Sequence, residues 1–176
     1  AQPPVQARTL ELARELMRYH AGHVMSQGVS YQIIDARYYG DKWIEVRDAS
    51  SREVLRYMMR APIAYVTEPS PNNVQSPLLR AYLPQHFVWL VLVALAAFGV
   101  MPALRRDRLL AAVLLAHGAA IAGIVALSGG NIGTLIRHRD LTLPYLVCFS
   151  MLGAIALLAR VAPRRLPEGW VTHAPR

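Results

Sequence analysis

The chain has 176 residues, 54% of them hydrophobic, and a formal net charge of +8. That charge does not indicate a nucleic-acid partner, because the arginines gather at the ends of apolar runs and lack the aromatic interleaving of a binding module. Cys148 is the single cysteine and lies inside an apolar run, which excludes an internal disulfide and a thiolate metal centre. There is also no Gly-x-Ser-x-Gly elbow, zincin motif or dinucleotide fingerprint.

The chain begins Ala1-Gln2-Pro3-Pro4. This start fits either a cleaved signal peptide or the C-terminal piece of a longer protein. Residues 5–27 read as an amphipathic helix, with Leu10, Ala13, Met17, Ala21 and Val24 on one stripe and Arg8, Glu11, Arg14, Glu15 and Arg18 mostly off it. His20 and His23 are three apart on this helix. Asp35, Asp41 or Glu45 could complete a metal site with them, but two histidines fall short of a zinc ligand set, so surface histidines are expected and no metal or cofactor is assigned.

Residues 29–39 are rich in tyrosine and β-branched side chains, Gly40-Asp41 suits a turn, and 42–47 makes a second extended run, so a hairpin is expected. Ser50 and Glu53 fit a capping box that opens a helix, which should stop before Pro62. The expectation for residues 1–61 is thus a small α+β extramembrane region. The prolines of 62–85 argue against a continuous helix, giving a segment that lies on the membrane surface with Tyr82 and Trp89 as interfacial anchors.

From here the composition changes. Apolar runs over 86–161 predict three transmembrane helices at 86–104, 109–128 and 143–161, each near the ~20 residues that span a hydrocarbon core. The fold class expected is therefore membrane all-α, with the α+β region at its N-terminal side and a basic tail at 162–176. Arg105, Arg106 and Arg108 in the first turn and Arg160, Arg164 and Arg165 near the tail outweigh Arg137 and Arg139 in the second loop. Positive charge is retained in the cytoplasm, so 1–85 and 129–142 should face outward and the C-terminus inward.

His117 sits mid-span, where a titratable group is costly. A neutral histidine bonded to a neighbouring helix is the expected reading, and a proton path in a transporter subunit is the alternative. Around it, Ala112, Ala116, Ala119, Ala120 and Gly123 form a small-residue face suited to a partner helix. The loop after the second span, Gly129-Gly130-Asn131-Ile132-Gly133-Thr134-Leu135-Ile136-Arg137-His138-Arg139-Asp140, is the most distinctive stretch. Its glycines can free successive amides for an anion nest, and Arg137 and Arg139 can fork onto a phosphate at headgroup depth. Gly130, Asn131, Gly133, Arg137, His138 and Arg139 are accordingly the expected lipid-phosphate site. Arginines that only snorkel to headgroups are the alternative.

Taken in order, Val54-Leu55-Arg56-Tyr57-Met58-Met59-Arg60-Ala61-Pro62, the proline-broken stretch after it, a span near Trp89 and the string Asn131-Ile132-Gly133-Thr134-Leu135-Ile136-Arg137-His138-Arg139 resemble the C-terminal end of bacterial polytopic membrane proteins of cell-surface polysaccharide assembly, described as glycosyltransferase-like or polymerase-like. The resemblance covers roughly residues 50–160. It implies an inner-membrane protein, partners among membrane lipids, a polyprenyl-phosphate-linked saccharide and further transmembrane helices, and an acidic catalytic residue upstream of this chain. A non-catalytic outward binding or scaffold module on a three-helix anchor is the competing expectation.

Overall fold

The structure, a computed structural model, describes residues 5–25, 29–39, 46, 48–70 and 77–161. They form helices α1 (Val5–Met25), α2 (Ser51–Thr67), α3 (Pro77–Ala81), α4 (Leu83–Arg106), α5 (Arg108–Ser128), α6 (Ile132–Arg139) and α7 (Leu143–Val161), with a single 3-10 turn at Ala36–Tyr39.

Helices α4, α5 and α7 are each long and apolar enough to cross a bilayer, and they make this a membrane protein. Their apolar side chains face outward over much of each helix, among them Phe87, Phe98, Leu110, Val113, Met151 and Ile155. Such exposure suits hydrocarbon surroundings. Asp107 ends α4 and opens α5, its carboxylate accepting from the Leu110 amide at 3.0 Å.

Helices α4 and α7 form the most extensive helix pair. Glycines make this possible. A Cβ on Gly99 would stand 1.8 Å from the Phe149 carbonyl oxygen, and one on Gly153 would stand 1.9 Å from that of Leu95. Only hydrogen at both positions lets the backbones approach this closely. The Ser150 hydroxyl adds an interhelical bond to the Leu92 carbonyl at 2.8 Å.

The amphipathic stripe of α1 is buried as its spacing predicts, with Ala13, Met17, Ala21 and Val24 in the core and Leu10 against it. The capping box at the start of α2 is also formed: the Ser50 hydroxyl accepts from the Glu53 amide, and Glu53 accepts from the Ser50 amide at 2.9 Å. Two other expectations are corrected. First, α2 does not stop before Pro62 but runs through it to Thr67. Pro62 and Met58 both lie on the exposed side of the helix, so the Met58 carbonyl that loses its amide partner is not sealed in the core. The segment 62–85 is therefore largely helical where described, while 71–76 lies outside the described residues.

Second, the α+β reading fails, because no strand is present among the described residues. Residues 29–39 make one antiparallel bridge, Ser30 to Asn131, and then the 3-10 turn. The Tyr39 hydroxyl captures the amides of Ile33 and Ile34 at 2.9 and 3.1 Å, leaving them no role in a hairpin ladder. The expected turn at Gly40-Asp41 and nearly all of the second strand, 42–47, lie outside the described residues.

A single core joins the N-terminal helices to the spans: Met17, Tyr31, Tyr57, Tyr65, Trp89, Val125, Ile132 and Leu135 belong to one apolar cluster. The N-terminal helices and the three long apolar helices thus stabilise each other.

Candidate functional site

The site is built around the chain segment linking α5 to α7, and its placement begins with the end of α5. A helix leaves its last carbonyls without amide partners. Here side chains from far earlier in the chain supply donors. Tyr57 donates its hydroxyl to the Leu127 carbonyl, His23 donates Nδ1–H to Ser128 at 2.6 Å, and Tyr31 donates to Gly129 at 3.0 Å. His20 donates Nδ1–H to the same Gly129 carbonyl, while its Nε2 accepts from the Tyr39 hydroxyl at 3.2 Å. The bonding pattern sets the tautomer. His20 is therefore no surface histidine: its exposure is 0%, and burial pulls its pKa down to about 4, keeping it neutral at physiological pH.

This clamp fixes the loop that follows. Ile132 donates its amide to the Val29 carbonyl, and Gly133 and Thr134 donate theirs to the Asn131 side chain, which caps α6. Gly130 serves close approach: a Cβ there would stand 2.5 Å from the His20 carbonyl oxygen of α1. Gly129 has ordinary extended dihedrals, φ −74° and ψ 141°. The amides of Ile132, Gly133 and Thr134, which the expected nest would use, are thus committed internally, and Gly130, Asn131 and Gly133 act in packing and capping.

The basic residues of the motif are also separated. Two residues of helix rotate a side chain by roughly 200°, and the structure leaves Arg137 and His138 exposed while burying Arg139 to 5% exposure. His138 Nδ1–H donates to the Thr134 carbonyl at 2.7 Å. The two arginines do not form a shared fork.

Arg139 instead turns under the end of α2. Its Nε and Nη2 donate to the Tyr65 carbonyl, Nη2 also reaches the Glu68 carbonyl, and Nη1 donates to His86 Nδ1 at 3.4 Å. The guanidinium carbon lies 4.8 Å from the Trp89 ring centre and 5.6 Å from that of Tyr65. Helix-end carbonyls and aromatic faces temper the buried charge. The negative charge of Glu68 helps to keep the guanidinium protonated. Burial lowers its pKa to about 10, which leaves it cationic at neutral pH.

One side of this arrangement opens into a cleft of about 280 Å³ between α4, α6 and α7, lined among others by Tyr82, His86, Trp89, Arg139, Asp140 and Val147. Trp89, expected as an interfacial anchor, is only 8% exposed and stands edge-on to Tyr65 at 5.7 Å. Its indole Nε1–H is buried with no acceptor among the described residues. Such an orphan donor costs roughly 1–3 kcal/mol. A concave site at the start of a span, apolar on its walls and holding a cation, suits an anionic headgroup.

No family model, curated protein or solved structure matches this chain.

Among the described residues, no three of His, Cys, Asp and Glu gather as metal ligands would. Asp35 ion-pairs with Arg56 at 3.8 Å, whereas Asp41 and Glu45 lie outside the described residues. His117 stacks on Tyr145 of α7 with ring centres 5.3 Å apart, in place of the hydrogen bond expected of it. On the small-residue face around it, Ala112, Ala116, Ala119 and Ala120 are exposed. His86 and Trp89 are the site residues that sequence reasoning missed. The available signal was a histidine and a tryptophan three apart at the start of an otherwise apolar run.

Proposed function

We propose that this chain is the C-terminal part of a polytopic bacterial inner-membrane protein that handles lipid-linked saccharides for cell-surface polysaccharide, and that its interfacial cleft receives the anionic headgroup of such a lipid. The observation that carries the reading is Arg139, a buried cation whose Nη1 lies beside His86 in a cleft walled by Trp89. Phosphate attached to an isoprenoid offers a charge for Arg139. At the same end of α6, exposed Arg137 adds a positive charge and exposed Asp140 a negative one.

The contacts of α1 and α2 with the end of α5 and with residues 129–142 put these parts at one end of the bundle, opposite Arg105, Arg106 and Arg108. This supports the reading that 1–85 and the 129–142 loop face outward together, with the C-terminus in the cytoplasm. The shared core favours an integral part of a larger membrane protein over a scaffold module on a passive anchor. Catalytic groups, on this reading, come from upstream of Ala1.

The test is binding of an isoprenyl phosphate to the full chain in nanodiscs, read through Trp89 emission after Trp43→Phe and Trp170→Phe. An emission shift that saturates with the phosphate, but not with the corresponding isoprenyl alcohol, is expected. Equal responses to the two lipids would refute the anionic-headgroup reading. Deleting the gene should in addition cause lipid-linked saccharide intermediates to accumulate in the envelope.

A further inference from the structure

The cleft does not end at Trp89. The same indole walls a second, open hollow of about 260 Å³, lined mainly by α4, α5 and α7 and almost wholly apolar. Its origin lies in unequal packing. Gly99 and Gly153 draw α4 and α7 together, whereas α5 is held mainly at its two ends, by the Asp107 turn and by the tyrosine and histidine clamp. Between those ends α5 meets α7 at the His117 and Tyr145 stack, and small residues such as Ala97, Ala119 and Ala122 leave the space beside that contact unfilled.

The dimensions favour one class of occupant. The part of α4 that lines the groove, Trp89 to Val100, rises about 16 Å at 1.5 Å per residue. This is half of a ~30 Å hydrocarbon core. A transmembrane helix would need a groove across the whole thickness, but the chain of a lipid in one leaflet needs only half. At the headgroup end the polar groups are already matched to each other, the Tyr65 and Thr142 hydroxyls bonding at 2.8 Å. Beyond them, the walls offer hydrocarbon.

We infer that this groove seats the hydrocarbon chain of the amphiphile whose anionic head lies beside Arg139, with Trp89 as the wall shared by head and tail. The inference rests on the headgroup reading above and extends it to the lipid's chain. Trp89 touches both compartments, so a single ligand can satisfy the cleft and the groove together.

The experiment uses the full chain with Trp89 as its only tryptophan, in nanodiscs of zwitterionic lipid. An anionic lipid, phosphatidic acid with a brominated chain, is titrated in, and bromine in contact with the indole quenches it. The expected result is a saturable quench at low mole fraction, absent for brominated zwitterionic lipid. Ala119→Phe fills the groove without entering the Arg139 cleft and should abolish that saturable component, while unbrominated phosphatidic acid still shifts Trp89 emission. Ala97→Phe, from the opposite wall, gives the same test should the first variant fold poorly.

Saturable quenching unchanged in both folded variants would place the chain elsewhere and overturn the groove, leaving the headgroup reading intact. No response to any anionic lipid would overturn both. A photoreactive probe attached at Ala97→Cys, with Cys148→Ser, that crosslinks to a polypeptide and not to lipid would show a helix in the groove and likewise overturn the proposal.

Discussion

The clamp on α5 should open as pH falls, through His20. Its pKa is about 4 in the folded protein against an ordinary 6.5, because burial penalises the imidazolium. Protonation therefore favours the open state: the stability that neutral His20 contributes is complete above pH 6.5 and is lost progressively as pH falls to about 4. The shift corresponds to about 3 kcal/mol, or roughly a 300-fold rise in the clamp's opening constant if His20 becomes fully hydrated on opening. Glu53, held down to about 2 by its hydrogen bonds to Ser50, loses its contribution only below about pH 4.5. Hydrogen exchange of the Gly129, Tyr31 and Ile132 amides, corrected for intrinsic rates, reads the opening directly, since all three are bonded across or beside the clamp. His20→Asn keeps a donor near the Gly129 carbonyl but cannot titrate, so its opening constant should rise far less between pH 6.5 and 4.5 than the parent's. Parallel behaviour of the two proteins would refute the reasoning.

Other expectations follow from local geometry. Gly99→Leu forces α4 and α7 apart and should cost at least the ~1–3 kcal/mol of overpacking, seen as a lower thermal midpoint in detergent. Ser50→Ala removes a cap and should cost about 1 kcal/mol, with faster amide exchange confined to the first turn of α2. Arg139→Lys keeps the charge but cannot reach the Tyr65 and Glu68 carbonyls and His86 together. It should lower stability by about 1–3 kcal/mol while retaining part of the response to isoprenyl phosphate. Single cysteines at Arg137 and Arg105 in a Cys148→Ser background should label from opposite sides of the membrane; labelling from one side would refute the topology.

What could be read from the sequence was what depends on near neighbours. The α1 stripe, the Ser50 and Glu53 capping box, and the three spans each follow from residues within a turn or two, and α7 begins and ends where the apolar run does. What could not be read depended on distant partners. His20 meets the Gly129 carbonyl across 109 residues, and Arg139 meets Tyr65 across 74. Nothing in the local pattern says that a histidine on a helix will find a helix end to cap, or that of two arginines in Arg137-His138-Arg139 one will turn inward. The hairpin failed for a related reason. Its tyrosines and β-branched residues favour strands locally, but the Tyr39 hydroxyl takes amides that a ladder would need.

The same dependence ties binding to stability. Arg139 cannot move far toward a ligand, because Nε and Nη2 hold the end of α2 and releasing them would strand two carbonyls. Only Nη1, shared with His86, is placed to engage a headgroup while the fold stays closed. A ligand that does so binds the folded protein alone and should stabilise it by RT ln(1 + [L]/Kd), about 2.7 kcal/mol at a hundredfold excess over Kd. Isoprenyl phosphate should therefore raise the thermal midpoint of the parent protein, and His86→Ala, which clears the acceptor beside Nη1 and loses a bond to the Thr67 backbone but leaves the Arg139 contacts with α2 in place, should retain that rise. Abolition of the rise by His86→Ala, in a variant that otherwise unfolds normally, would mean that the histidine and not the guanidinium carries the headgroup.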